Sequence, residues 1–246
     1  MDKNIITINS SERSSGIPEN FNVNLQHVLA KGKTIKLLQI SIPNTMFNIN
    51  SPNNYIDILE YENNYSFSLF IPDGYYTIDK LTITMEDLLN KKSSLGPNKY
   101  KYKCMYSPTN HKLSISSTSD FKILFGSGPN YDKSLYQVLG FTQNDTPFSS
   151  IIVGDNIINI SLPDVYVRIK EFINNKYLLN GSPYSFVVPN VAKYGEKIIN
   201  TIPICQEITL SESRRFNQLD IILTDHMGKQ LNLNGSEYMM ELSFEE

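Results

Sequence analysis

The sequence predicts an all-β chain, an antiparallel sandwich, and three observations predict it. The C-terminal stretch alternates at period two, Leu219, Ile221 and Leu223 falling on one face and Tyr238, Met240, Leu242 and Phe244 on another, the spacing of half-buried strands. Turn signals punctuate the chain at short intervals, as at Asp225 to Gly228 and Asn234-Gly235. Only two stretches carry helical spacing, and both are expected to be too short to layer a sheet.

The 246 residues suffice for a full core, and one domain over 21–246 is expected after an extended arm over 1–20. The arm is read from Ser10-Ser-Glu-Arg-Ser-Ser-Gly-Ile-Pro18, polar and small with no amphipathic period. Phe21, Val23 and Leu25 then alternate. Thr34 to Ile42 has apolar residues on both faces, as a central strand would, and Pro43-Asn44 stops it. Ile56 to Tyr61 and Tyr65 to Ile71 read as a hairpin about Asn63-Asn64. Leu81, Met85, Leu88 and Leu89 recur at helical spacing within 78–90, a helix expected to cover an open end of the sandwich.

Tyr100 to Tyr106 and Leu113 to Ile115 read as a strand pair, extended by Phe121 to Phe125. Tyr131 to Leu139 reads as a second short helix closed by Gly140. Strand-like runs follow at Asn156 to Leu162 and Val165 to Lys170. Residues 171–196 read as a long connection, and Glu207 to Leu210 begins the final strands, with Ser211 to Arg215 as a separator.

Composition narrows the function classes. Hydrophobic residues make up 40% and charged residues 19%, so the chain is too apolar for disorder and weakly charged for a wholly solvated surface. Fifteen Tyr and 12 Phe with no Trp suit contact surfaces that are half wet. A net charge of -3 gives no electrostatic reason to bind nucleic acid directly. Neither a membrane span nor a signal peptide is read, and Cys104 and Cys205 are expected as reduced core residues of a chain made in a reducing cytosol.

No catalytic, cofactor or metal residue is assigned, each candidate being outweighed by a structural explanation. His27, His111 and His226 are scattered, without ligand spacing. His226 beside Asp225, with Ser211 or Ser213, could form a base and its orienter, but turn neighbours point apart and no nucleophile-elbow glycines are present. Glu60 with Glu62 is expected to be a solvated strand edge, and Glu245 with Glu246 a charged tail. Gly126-Ser-Gly128 lacks the Lys-Ser/Thr of a phosphate loop and reads as a plain turn. Lys99, Lys101 and Lys103 alternate with Tyr100, Tyr102 and Cys104, which suits a guarded sheet edge. The Asn-x-Ser/Thr matches at Asn9, Asn64, Asn144, Asn159, Asn180 and Asn234 are those an Asn-rich chain contains by chance.

Taken in order, several segments resemble the penton, or minor capsid, proteins of virophages and polinton-like viruses. They are Ser10-Ser-Glu12-Arg13, Phe21-x-Val23-x-Leu25, Ile42-Pro43-Asn44, Ile71-Pro-x-Gly74-x-Tyr76, Leu139-Gly-Phe141 and Leu223-Thr-Asp225-x-x-Gly228-x-x-Leu231-x-Leu-Asn-Gly235. Glu12 stands where that family often has Asp, and 170–206 matches nothing, leaving room for an inserted connection around 171–206. The resemblance implies a single jelly roll with no reaction and no cofactor. It implies a homopentamer at the fivefold vertices of an icosahedral virion capsid, beside a double jelly-roll major capsid protein and other minor capsid proteins, assembled in the host cytoplasm. The alternatives are a carbohydrate- or receptor-binding jelly roll and a cupin-like metalloenzyme, the latter needing His and Glu ligands converging in a barrel.

Overall fold

The structure is a computed structural model and describes residues 3–172, 176–178, 180–199 and 206–246. In chain order its strands and helices are β1 (Lys3–Asn9), β2 (Ser15–Ile17), β3 (Asn20–Asn24), β4 (Lys31–Pro43), β5 (Tyr55–Glu60), β6 (Ser66–Phe70), α1 (Ile78–Ser94), β7 (Tyr102–Ser107), β8 (Lys112–Ile123), α2 (Tyr136–Leu139), β9 (Ser149–Val153), β10 (Val165–Ile169), β11 (Phe186–Val188), β12 (Lys197–Ile199), β13 (Gln206–Arg215), β14 (Gln218–Thr224) and β15 (Met239–Glu245). All the strand pairs among them are antiparallel.

The chain divides into two compact units, Met1–Met46 with Leu162–Glu246, and Phe47–Ser161. Each buries its own apolar cluster. The first unit is an antiparallel sandwich. One sheet runs β1-β15-β4, with β12 and β13 both on β4, and the other runs β11-β10-β14-β3-β2. Taking β1, β3, β4, β10, β11, β13, β14 and β15 as first to eighth, the sheets read first-eighth-third-sixth and second-seventh-fourth-fifth. That order is a jelly roll, two Greek keys wrapped on one core.

The second unit is inserted between the third and fourth of these strands. The expectation of one domain over 21–246, with any insertion around 171–206, is therefore corrected: the insertion is 47–161, and the described part of 171–206 supplies β11 and β12 to the jelly roll. Inside the insert, the Asn48 amide donates to the Ile160 carbonyl at 3.0 Å, so the chain enters and leaves it at adjacent points.

The arm is corrected too. β1 lies along β15 in register from Lys3↔Glu245 to Asn9↔Met239, and Ile6 and Ile8 are buried. Ser10-Ser-Glu-Arg13 is a clamp. The Ser10 hydroxyl donates to the Glu237 carboxylate and accepts from the Tyr238 N–H at 2.8 Å, while Arg13 Nη1 donates to Glu237 at 2.7 Å and to the Ser10 carbonyl at 2.7 Å. The Ser10 bond, opposed by some burial and helped by Arg13, holds the Glu237 carboxyl below its usual range.

β4 explains an apparent two-faced strand. Ile35 and Leu37 are buried, and so are Ile40 and Ile42, a switch from odd to even positions. Glu241 pairs with Gln39 but Leu242 pairs with Leu37, leaving Leu38 as the extra residue of a β-bulge. The bulge shifts parity by one, so a single face stays in the core throughout. β13 runs through Ser211 to Arg215 instead of stopping before it, again with a register shift.

In the insert, β6-β5-β8-β7 form one sheet, with β9 on β8. Asn63 and Asn64 take the left-handed conformation (φ 57° and 48°) at the turn between β5 and β6, a turn that asparagine tolerates. The helix expected over 78–90 forms as α1, but it layers a sheet after all. Thr77 caps it by accepting the Lys80 N–H at 3.3 Å, Asp79 and Lys91-Lys92 sit at the favoured ends of its dipole, and Leu81, Met85 and Leu89 bury one stripe. The second expected helix is a 3-10 turn at Tyr131–Lys133 and then α2, closed by Gly140 at φ 79°. The run expected as a strand at Asn156 to Leu162 is irregular: its N–H groups go to the carbonyls of Gly140, His111 and Val138.

Candidate assembly surface

The inward faces of β7, β8 and β9 carry Tyr102, Cys104, Leu113, Ile115 and Ile152. Strand alternation sends their neighbours outward. Met105, Ser114 and Val153 form one cross-strand row on the outer face, and Lys103, Ser116 and Ile151 form the next. Met105 is 43% exposed, Val153 50% and Ile151 60%, and the small serines between them keep the strip flat. On the same outer side of β8, the Lys122 ammonium lies 5.2 Å from the Phe148 ring centroid, and Phe148 meets Tyr61 edge-on at 5.1 Å. Tyr61 is 62% exposed and Phe148 38%. The insert thus presents an apolar and aromatic belt facing away from its own core, the kind of patch that marks contact with other protein.

At the sheet edges beside this belt, side chains occupy backbone groups that a further strand would use. On β9 the Ser149 hydroxyl accepts the Ile151 N–H at 3.1 Å and donates to the Ile151 carbonyl at 2.7 Å. On β7, α1 does the same work. Asn90 accepts the Tyr102 N–H at 2.9 Å and donates to its carbonyl at 3.0 Å, and Glu86 accepts the Cys104 N–H at 3.0 Å. Lys103 on this edge strand and Lys101 just before it stay exposed, as the sequence leads one to expect. With those edge groups taken, contact through side-chain faces is favoured over strand addition.

The side chains weighed for chemistry are dispersed. His226 is exposed with no hydrogen bond among the described residues, and Asp225 is occupied with its own turn, accepting from the Met227 and Lys229 N–H groups at 2.8 and 2.9 Å. Ser211 and Ser213 lie exposed on β13. His27 is exposed, and His111 bonds Tyr106 at a turn. Among the described residues no three His, Cys, Asp or Glu side chains gather as a metal site, and no helix is long and apolar enough to cross a membrane. Glu62 is exposed.

The donors of Gly126-Ser-Gly128 are taken internally: Asp145 accepts from the Gly126 N–H at 2.9 Å, the Ser127 N–H at 3.0 Å and the Ser127 hydroxyl at 2.5 Å. Burial opposes ionisation of this carboxyl, but those bonds outweigh it and lower its pKa. No donor is left there to cradle a phosphate.

Two carboxylates differ from expectation. Glu60 is not a solvated strand edge: it is wholly buried, accepting from the Ser93 hydroxyl at 2.6 Å and the Tyr102 hydroxyl at 3.1 Å. Burial, then the neighbouring Glu60, drive the Tyr102 pKa far up. Period-two reading cannot find this, because Glu60 shares its inward face with Ile58 and its partners come from α1 and β7, far along the chain. Glu245 belongs to β15 and pairs with Lys36 at 2.6 Å, while Glu246 pairs with Lys31.

Cys104 is a buried thiol, pushed up to about 12 by burial and by the Glu86 carboxylate; Cys205 lies outside the described residues. At pH 8, in a Cys205→Ser background, Cys104 is expected to react with a thiol reagent about a thousandfold more slowly than an ordinary thiol. Because its folded pKa is raised, the stability it lends is complete below the ordinary thiol range, near 9.0, and is lost as pH rises towards about 12. Labelling at the unfolded rate in native buffer would contradict this.

The sequence segments that resemble penton proteins sit at joints of the fold. Ser10 to Arg13 is the clamp described above. Tyr76 donates its hydroxyl to the Pro72 carbonyl at 2.9 Å, and its N–H goes to Asn48 at 2.9 Å, near the start of the insert. The segment from Leu223 to Gly235 is the turn and return after β14, in which the buried Glu19 carboxylate accepts the Leu233 N–H.

No family model matches the chain, and no curated protein does. Among solved structures, the selenomethionine-labelled mavirus penton protein aligns over 99% of this chain and 98% of its own, with a TM-score of 0.48 and 10% identity. The fold assignment rests on the strand order, not on that likeness.

Proposed function

We propose that the chain is a structural subunit of an icosahedral virus shell, a penton protein whose copies ring a fivefold vertex. Its neighbours are then a double jelly-roll major capsid protein and other minor capsid proteins, in a virion assembled in the host cytoplasm. The role asks for no reaction and no cofactor. The observation that carries it is the outer face of the insert: an apolar belt of Met105, Ile151, Val153, Phe148 and Tyr61 beside edges where Ser149, Asn90 and Glu86 occupy backbone groups. A ring needs complementary flanks that mate face to face without running on into open-ended sheet, and this arrangement suits that need. The jelly roll supplies a compact block, and the number five comes from the resemblance of the sequence motifs.

Native mass spectrometry tests the proposal. The intact chain is expected as a species of five times the 28.1 kDa of one copy. The double variant Ile151→Glu, Val153→Glu is expected to appear as single copies with an unchanged circular dichroism spectrum. A variant that assembles like the parent would remove the belt from the interface, and a ring of another size would remove the penton reading.

A further inference from the structure

A small depression lies beside the end of β10 in the second jelly-roll sheet. Val165, Val167 and Ile169 point into the core, so Tyr166 and Arg168 face outward, with Lys170 just beyond. Residues 176–178 and 180–185 return beside them. Tyr177 bridges to Pro183, the Tyr184 N–H donates to the Lys176 carbonyl at 3.2 Å, and the Ser185 N–H donates to the Val167 carbonyl at 2.8 Å. Between this return and β10 is a depression of about 130 Å³ walled by Arg168, Lys170, Phe172, Tyr177, Pro183 and Tyr184. The Tyr184 ring stands edge-on to Tyr166 at 5.3 Å, which steadies that wall, and Tyr177 is 58% exposed.

The two cations differ. Lys170 is paired with Asp220 at 3.4 Å. Arg168 is half-buried, makes no hydrogen bond or ion pair among the described residues, and faces Ile222 across the strands. Arg168 lines the same depression as Tyr177 and Tyr184 and has no anion of its own among the described residues, so a ligand that brings one gives it a charge-assisted partner. Its planar fork matches a carboxylate through two parallel bonds, and the tyrosine rings offer apolar faces to the C–H side of a sugar. The depression is far smaller than the roughly 300–1,000 Å³ of drug-sized sites, so it takes one ring.

We infer that this depression binds the acidic terminal residue of a glycan, a single sugar ring carrying a carboxylate, with Arg168 on the carboxylate and Tyr177 and Tyr184 against the ring. The inference does not depend on the assembly proposal and applies equally to a single copy or a ring. A ligand of about a dozen heavy atoms at this kind of site binds with a dissociation constant on the order of 1 mM.

Amide chemical-shift titration of the full chain with glucuronic acid tests it, against glucose (the ring without the acid), acetate (the acid without the ring) and a tetraglutamate peptide. Saturable shifts at the Arg168, Tyr184 and Ser185 amides are expected with glucuronic acid, with binding of the other three weaker by about tenfold or more. Arg168→Gln and Tyr177→Ala, both away from the core, are each expected to weaken glucuronic acid by about tenfold while leaving the rest of the spectrum in place. Equal binding of acetate would make this a plain anion site, and equal binding of glucose would remove Arg168 from recognition. Tighter binding of the peptide, or no saturable shift by roughly 50 mM glucuronic acid, would overturn the inference.

Discussion

A chain that begins at Phe21 is expected to lose cooperative folding of its jelly roll. Removing 1–20 takes away β1, opens the edge of β15 along its whole register, and deletes Ile6 and Ile8 from the core. It also deletes Ser10 and Arg13 and leaves Glu237 without its clamp. Emptying one buried isoleucine site costs about 2–5 kcal/mol, and a whole domain holds roughly 5–15 kcal/mol. Two such sites, a strand and the clamp together reach that total. Urea unfolding followed by far-ultraviolet circular dichroism is expected to show a jelly-roll transition in the intact chain that is missing from the truncated one. A truncated chain with an unchanged midpoint would restore the extended arm, outside the core, that the sequence by itself suggests.

Gly140→Ala is expected to be the most damaging single substitution of those considered, and to damage the insert alone. Gly140 ends α2 in the left-handed region at φ 79°, which costs an L side chain about 1–2 kcal/mol. A Cβ placed there also meets the Asn156 carbonyl oxygen at 2.4 Å and the Ile157 carbonyl oxygen at 2.7 Å. Both atoms are backbone, so no rotamer relieves the clash, and the Asn156 N–H is itself bonded to the Gly140 carbonyl at 2.7 Å. A loss of about 3 kcal/mol or more is expected. Hydrogen exchange read by mass spectrometry is expected to show faster exchange throughout 47–161 with the jelly-roll peptides unchanged, since the two units bury separate cores. Equal acceleration in both units would mean that they unfold as one.

What the sequence discloses is local. Phe21-Val23-Leu25, Tyr65-Phe67-Leu69 and Leu219-Ile221-Leu223 declare their strands because alternation is visible within five residues, and Asn63-Asn64 and Asn234-Gly235 declare turns through their own tolerance of positive φ. What it conceals is pairing between distant segments. Ser10 to Arg13 looks like a loose arm because its partner, Glu237, is more than two hundred residues away. Leu38 cannot be recognised as a bulge until β15 lies beside it. The insert is hidden for another reason: its strands alternate as those of the jelly roll do, and nothing in composition marks Met46 or Leu162 as a boundary. The belt was readable in part, since Ile151-Ile152-Val153 shows an apolar run. Whether the outward face shows Ile151 and Val153 or Ile152 depends on the register with β8.

The most direct test replaces Phe47–Ser161 with a short glycine-serine linker and measures sedimentation velocity beside the intact chain. Every jelly-roll strand and its whole core lie outside the excised segment. The excised chain is therefore expected to sediment as one folded copy while the intact chain sediments as five. An excised chain that still forms the ring, or that cannot fold at all, would contradict a jelly-roll block whose insert carries the mating face.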